Sequence, residues 1–203
     1  AARPSIADPF LPRKIEEGRP EDIRECIGCN ICVSGDWTYS PIRCTQNPTM
    51  AEEWRRGWHP ETMNPKGVSS RVLVVGGGPA GLEAALSLGR RGYEVALADG
   101  GSGGGRIIGE AALPGLATWR RVLDYRLGQI DKLEQVSFFP GSKMDAEAIH
   151  EFDASHVAIA TGATWRRDGV GRATWRSVPG ITEHSGIFAP DDIFAGAQPE
   201  VGP

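Results

Sequence analysis

The stretch from Arg71 to Asp99 leaves this chain few ways to fold. Arg71-Val-Leu-Val-Val75 is a short aliphatic run, the composition of a strand buried on both faces. It runs into Gly76-Gly-Gly-Pro-Ala-Gly81, after which Pro79 to Arg91 carries Leu82, Ala85, Leu86 and Leu88 at helical spacing. Gly92 ends that helix, and Tyr93-Glu-Val-Ala-Leu-Ala98 reads as the next strand, closed by Asp99. A strand, a crossover helix and a second strand so closely joined make a βαβ unit, which requires a parallel sheet. The fold class is therefore α/β.

The glycine turn also carries chemistry. Gly76, Gly78 and Gly81 match G-x-G-x-x-G, a weak signal alone but one set here between a strand and a helix. Gly76 permits the tight turn, Gly78 admits a pyrophosphate to the backbone, and Gly81 lets the helix pack against the strand. Pro79 and Ala80 open the helix, whose free N–H groups and positive dipole end favour phosphate. Asp99 lies 18 residues after Gly81, where a carboxylate can accept from ribose hydroxyls. Its charge repels a 2′-phosphate, which favours ADP, FAD or NAD over NADP. The competing reading is a structural turn with an unrelated aspartate.

The α/β pattern continues. Leu116, Trp119, Leu123, Leu127, Ile130 and Leu133 predict one long amphipathic helix. A strand at Val136–Phe139, a helix from Asp145 to Phe152 and a strand at His156–Ala160 follow, ending at Thr161-Gly162. The last forty residues, with Pro179, Pro190 and Pro199, read as loop or linker. Gly100-Gly-Ser-Gly-Gly104 matches a nucleophile elbow formally, but no helix follows Ser102 directly and glycine composition accounts for the match. None of the four histidines stands at ligand spacing from another.

Upstream lies a different kind of sequence. The four cysteines of the 203 residues, Cys26, Cys29, Cys32 and Cys44, form C-x2-C-x2-C-x11-C. Three thiolates two residues apart can wrap one face of an iron–sulfur cubane, and a fourth from a short loop can close it. Zinc would more naturally take two separate C-x2-C knuckles, and disulfides within so short a stretch would not staple the remaining chain. Around the cysteines, residues 21–66 hold Trp37, Trp54 and Trp58 and little periodicity, as in a small lobe held by a metal centre. One helix is expected there, from Glu52 to Trp58. Residues 1–20 are proline-rich and read as a connector.

Bulk properties exclude some classes. A net charge of −4 with scattered arginine pairs does not suit nucleic acid. No apolar run reaches the roughly 20 residues of a membrane span, and no signal-peptide pattern is present. Unpaired cysteines suit a reducing, cytoplasmic interior. The chain opens on Ala1 and ends at Val-Gly-Pro203, which suggests part of something longer.

Arg3-Pro-Ser-Ile-Ala-Asp-Pro9 and Ile23-Arg-Glu-Cys-Ile-Gly-Cys-Asn30 together resemble the iron–sulfur branch of the old yellow enzyme flavoproteins. That branch includes trimethylamine, dimethylamine and histamine dehydrogenases and 2,4-dienoyl-CoA reductases. The two-residue gap between Cys29 and Cys32, with Cys44-Thr-Gln-Asn-Pro-Thr49 and Glu53-Trp-Arg-Arg-Gly-Trp-His-Pro-Glu61, is similar to the amine dehydrogenases. Cys32-Val-Ser-Gly-Asp36 most resembles histamine dehydrogenase. Val157-Ala-Ile-Ala-Thr-Gly162 resembles the family's second nucleotide motif, and Gly104-Gly105 before Arg106 its glycine pair. The tract between Asp99 and that pair is about one residue shorter than in the family.

The resemblance implies four parts: residues 1–20, the end of an FMN-bearing (β/α)8 barrel; 21–66, a [4Fe–4S] segment; 67–190, a glutathione-reductase-type Rossmann-like fold for ADP or FAD; and 191–203, a linker. It implies that Cys26, Cys29, Cys32 and Cys44 hold the cluster, and that Gly105, Arg106, Thr161 and Gly162 join the glycine turn at the nucleotide. It implies that Arg3 touches the FMN phosphate, and that Arg24 and Arg43 offset cluster charge. The implied function is relay of electrons from a small amine, oxidised at FMN on a barrel outside this chain, to an electron-transferring flavoprotein, in a homodimeric parent. Two alternatives stay open. One is an NAD(P)H-dependent reductase of the dienoyl-CoA type, and the other a zinc-stabilised, non-catalytic adenine-nucleotide module.

Overall fold

A computed structural model describes residues 2–37, 39–52, 54, 63–181 and 186–199. They fall into two compact units, Ala1–Thr161 and Gly162–Pro203. The first opens with short helices α1 (Ala2–Ala7), α2 (Leu11–Glu16) and α3 (Ile31–Trp37). Then come β1 (Arg71–Val75), α4 (Pro79–Arg90), β2 (Glu94–Ala98), α5 (Ile107–Ala111) and α6 (Arg121–Ile130). It closes with β3 (Val136–Phe139), α7 (Ala146–Glu151) and β4 (His156–Ile159). The second unit is mostly turns and bears α8 (Pro190–Phe194).

The strands form one fully parallel sheet in the order β3-β2-β1-β4. Alternation along β1 and β2 divides the core. Val72, Val74, Val95 and Leu97 pack beneath α4 and α6 with Leu82, Leu86 and Leu123. Leu73, Val75, Ala96 and Ala98 face the other way, onto Met144, Ile149, Phe152 and Ala154. Both faces are dry because both are covered, which is why these strands read as unbroken aliphatic runs. Gly89 is where α4 passes closest to the sheet edge: a Cβ there would lie 2.3 Å from Val136 Cγ2.

Two expectations need correction. The helix expected over 116–133 is shorter: a 3₁₀ turn over Ala117–Arg120 leads into α6, and Leu133 sits in a turn closed by its N–H to Ile130 O at 2.9 Å. The apolar spacing is three from 116 to 119, four from 119 to 127 and three from 127 to 133, and a spacing of three fits a 3₁₀ turn as well as an α-helix. The proline-rich start, where no helix is expected from the sequence, is helical. Pro12 falls in the first turn of α2, where its missing N–H costs nothing. Asp8, 1% exposed, then pairs with Lys14 Nζ at 2.8 Å and accepts the N–H groups of Phe10 and Arg24 at 3.0 and 2.9 Å. Most of the expected Glu52–Trp58 helix lies outside the described residues.

Candidate metal centre and nucleotide turn

The glycine turn is built by sterics. Gly76 has φ +106°, and a Cβ there would sit 2.3 Å from Ala160 O at the end of β4. A Cβ on Gly81 would sit 1.8 Å from Gly76 O, so the turn and α4 fit together only without side chains. Gly78 differs. Its φ of −72° suits any residue, and a Cβ there would meet nothing of the protein within 4 Å. What it leaves clear is the space in front of the N-terminus of α4, the approach a phosphate would use.

Asp99 ties this turn to the glycine tract that follows β2. One carboxylate oxygen accepts Gly77 N–H at 2.6 Å, and the other accepts Gly101 and Gly103 N–H at 2.8 and 3.2 Å. Burial alone would raise its pKa, but the hydrogen bonds from Gly77, Gly101 and Gly103 outweigh burial and hold it below the usual carboxylate range. Gly104 N–H closes the loop onto Gly77 O at 2.7 Å. Gly103, Gly104 and Gly105 have positive φ of 82°, 98° and 54°. The tract is therefore tied to the turn through Asp99 and its own backbone. Gly77 and Gly103 carry no role in the sequence reading; a glycine run directly after an acid is the signal that could have found them.

The structure brings Gly76, Gly78, Pro79, Ala80, Gly81, Asp99 and Gly105 together at the carboxyl end of the sheet. A Cβ on Gly105 would lie 3.2 Å from Gly78 Cα, and one on Gly76 3.0 Å from Thr161 N. Arg106 stands at the start of α5, half-buried. Gly162 opens the second unit with φ +83°.

The four cysteines form no disulfide and are half-buried. Gly28, at φ +72°, donates its N–H to Cys26 Sγ at 3.4 Å, and Gln46 N–H reaches Cys44 Sγ at 3.3 Å. Thr45 Oγ1 lies 3.2 Å from Cys29 Sγ. Such donors lower the cost of negative charge on sulfur. Among the described residues, no three His, Cys, Asp or Glu side chains converge as ligands of one metal ion would. An all-sulfur donor set with N–H···S bonds is chemistry that an iron–sulfur cluster accepts.

Helix α6 holds this segment against the sheet. Thr118 Oγ1, just before it, donates to Ile27 O at 3.3 Å, and Arg121 Nη1 to Cys26 O at 3.2 Å. Arg126 Nη1 donates to Gln46 Oε1 at 3.2 Å. Asp22 receives Gln129 Nε2 at 2.8 Å and Lys132 Nζ at 2.6 Å. Burial opposes ionisation of Asp22, yet the bonds from Lys132, Gln129 and Arg19 more than offset it and hold its pKa far below the usual range.

The two arginines expected near the cluster part company. Arg24 is buried, 8% exposed, with its guanidinium 5.1 Å from the centre of the Tyr125 ring, whereas Arg43 is exposed. Arg3 donates to Asn30 Oδ1, in the cysteine segment itself.

Residues 70–190 match the pyridine nucleotide-disulphide oxidoreductase family. The chain belongs to that family. Members similar over nearly the whole chain include dimethylamine dehydrogenase of Hyphomicrobium sp. (strain x), 47% identical across 97% of this chain and 28% of that protein. Among solved structures, histamine dehydrogenase from Rhizobium sp. 4-9 is 57% identical with TM-score 0.88, over 98% of this chain and 31% of that one. The 6-hydroxypseudooxynicotine amine oxidase from Pseudomonas geniculata N1 is 51% identical with TM-score 0.90, over 98% and 30%. This family member thus spans under a third of each of these relatives. Its cysteine segment precedes the matched residues. No described helix is long and apolar enough to cross a membrane.

Proposed function

We propose that this chain is the iron–sulfur and nucleotide-binding part of an amine dehydrogenase, with Cys26, Cys29, Cys32 and Cys44 as ligands of a [4Fe–4S] cluster. The observation that carries this reading is four free cysteines, two of them with N–H···S donors, on a segment whose Ile27 and Cys29 join the core that packs beneath the helix of the glycine turn. The 47–57% identity to dimethylamine and histamine dehydrogenases supports a small amine as the substrate of the whole protein. When bound, the cluster supplies a one-electron store between a two-electron flavin and an acceptor of the electron-transferring flavoprotein kind.

Around that group the chain's own residues have defined tasks. Gly28 and Gln46 N–H groups spread charge from Cys26 and Cys44, and Arg24 offsets part of it from its buried place on Tyr125. Gly78 and the N-terminus of α4 take the pyrophosphate of ADP, and Asp99 presents its remaining lone pair to the ribose. Gly105, Arg106, Thr161 and Gly162 border the same nucleotide, and Arg3 faces the flavin phosphate of a preceding barrel. Residues 1–20, 21–66, 67–190 and 191–203 act as barrel end, cluster segment, nucleotide fold and linker.

Iron, acid-labile sulfide and extracted nucleotide provide the test. About four irons and four sulfides per chain, with ADP in the extract, are expected. Stoichiometric zinc without sulfide would refute the cluster, and FAD in place of ADP would favour the reductase alternative.

A further inference from the structure

Arg126 is the most deeply placed guanidinium among the described residues, 4% exposed on α6, and it lies between the two sites. On one side its Nη1 donates to Gln46 Oε1 at 3.2 Å, and Gln46 N–H is the donor to Cys44 Sγ. On the other its Nε stands 2.8 Å from Glu83 Oε2, off-axis for a hydrogen bond but within ion-pair distance. Glu83 belongs to α4, the helix that begins at the glycine turn.

Among the described residues the local charge does not balance. Arg24 is buried close enough to act on Arg126 electrostatically, and its Nε has no partner. Arg90 is also near, bonded to the neutral Tyr125 Oη and Gln129 Oε1 at 3.3 and 2.8 Å. Glu83 is the one carboxylate paired with Arg126 in this group. Asp8 is engaged by Lys14, and Asp22 by Arg19 and Lys132. Among the described residues Arg24, Arg90 and Arg126 therefore outnumber the carboxylates left to face them, and burying a cation short of an anion costs folding energy.

We propose that Arg126 is a positioning residue for the cysteine site: through Gln46 it holds the loop carrying Cys44, and its undercompensated charge raises the reduction potential of the group the cysteines bind, with Glu83 acting in the opposite sense. This rests on the cluster reading above. Adding one electron to a cluster held by four thiolates adds one negative charge and breaks no bond. A fixed cation in the protein interior therefore favours the reduced form, and a fixed anion disfavours it.

Potentiometric titration of the holoprotein, followed by the electron paramagnetic resonance of the reduced state, decides it. Arg126→Gln lowers the midpoint potential, Glu83→Gln raises it, and Arg126→Lys stays nearer to wild type. Mere loosening of the fold would not move two variants in opposite directions. Shifts of the same sign, or none, in variants that keep their iron overturn the proposal. Should Arg126→Gln fail to fold, the half-exposed Glu83 still decides: a rise in Glu83→Gln supports the proposal, and no change or a fall overturns it. Absence of the signal and of iron from wild type instead sinks the cluster reading, and this inference with it.

Discussion

The glycine turn and the cysteine segment sit on one core, yet they are held in opposite ways. The turn is set by exclusion: Gly76 and Gly81 are spaced by the backbones they touch, and Asp99 fills its bonds with N–H groups of the loop itself. Its shape rests on contacts within the protein itself. Among its described residues the cysteine segment has few buried apolar side chains of its own; Ile27 joins the main core, with Cys29 packed against it. It leans on polar contacts to α6, and its sulfurs do not converge on one point. A site made by packing can wait empty, whereas a site made of ligands gains much of its stability from what it binds.

The sharpest way to break this contrast is to substitute within the turn. Gly81→Ala forces a Cβ to 1.8 Å from Gly76 O and should cost about 3 kcal/mol in chemical denaturation. Gly78→Ala meets no protein atom and should leave the denaturation midpoint unchanged while weakening ADP. Equal stability losses in the two variants would show that the turn is not shaped by close approach.

Iron chelation probes the other side with a smaller, local effect. Amide exchange should quicken over residues 23–47 and stay slow in β1, α4 and β2. Loss of protection in the strands as well would mean that the two regions fold as one unit with the metal.

Acid should produce the smallest change. Asp99 and Asp22 both ionise more readily in the folded chain, so their contribution is complete above the unfolded carboxylate pKa of about 3.9. It is lost as pH falls through their lower folded values. Asp99→Asn should flatten the decline in thermal midpoint below about pH 4, and an unchanged slope would deny the carboxylate its part in the loop.

How much of this was legible depended on how local each cause is. The βαβ order, the turn and the strand ends at Asp99 and Thr161 follow from patterns within a few residues. The cysteine spacing likewise pointed to a metal. The helix before α6 was misread because a spacing of three belongs to both helix types. The N-terminal helices were missed because their stability comes from Asp8, whose partners Lys14 and Arg24 lie six and sixteen residues away.

By itself, then, the sequence determined the parallel α/β sheet, the open glycine turn and the four sulfur donors, because aliphatic period, missing side chains and ligand spacing act over short range. Only the tertiary structure decided which charges surround them. Gln46, Glu83 and Arg126 come from three separate stretches, and nothing in their sequence neighbourhoods sets them apart from surface polar residues. Folding α4 and α6 onto the sheet buries Gln46 and Arg126 and sets the partly exposed Glu83 against Arg126, and burial gives a charge its influence.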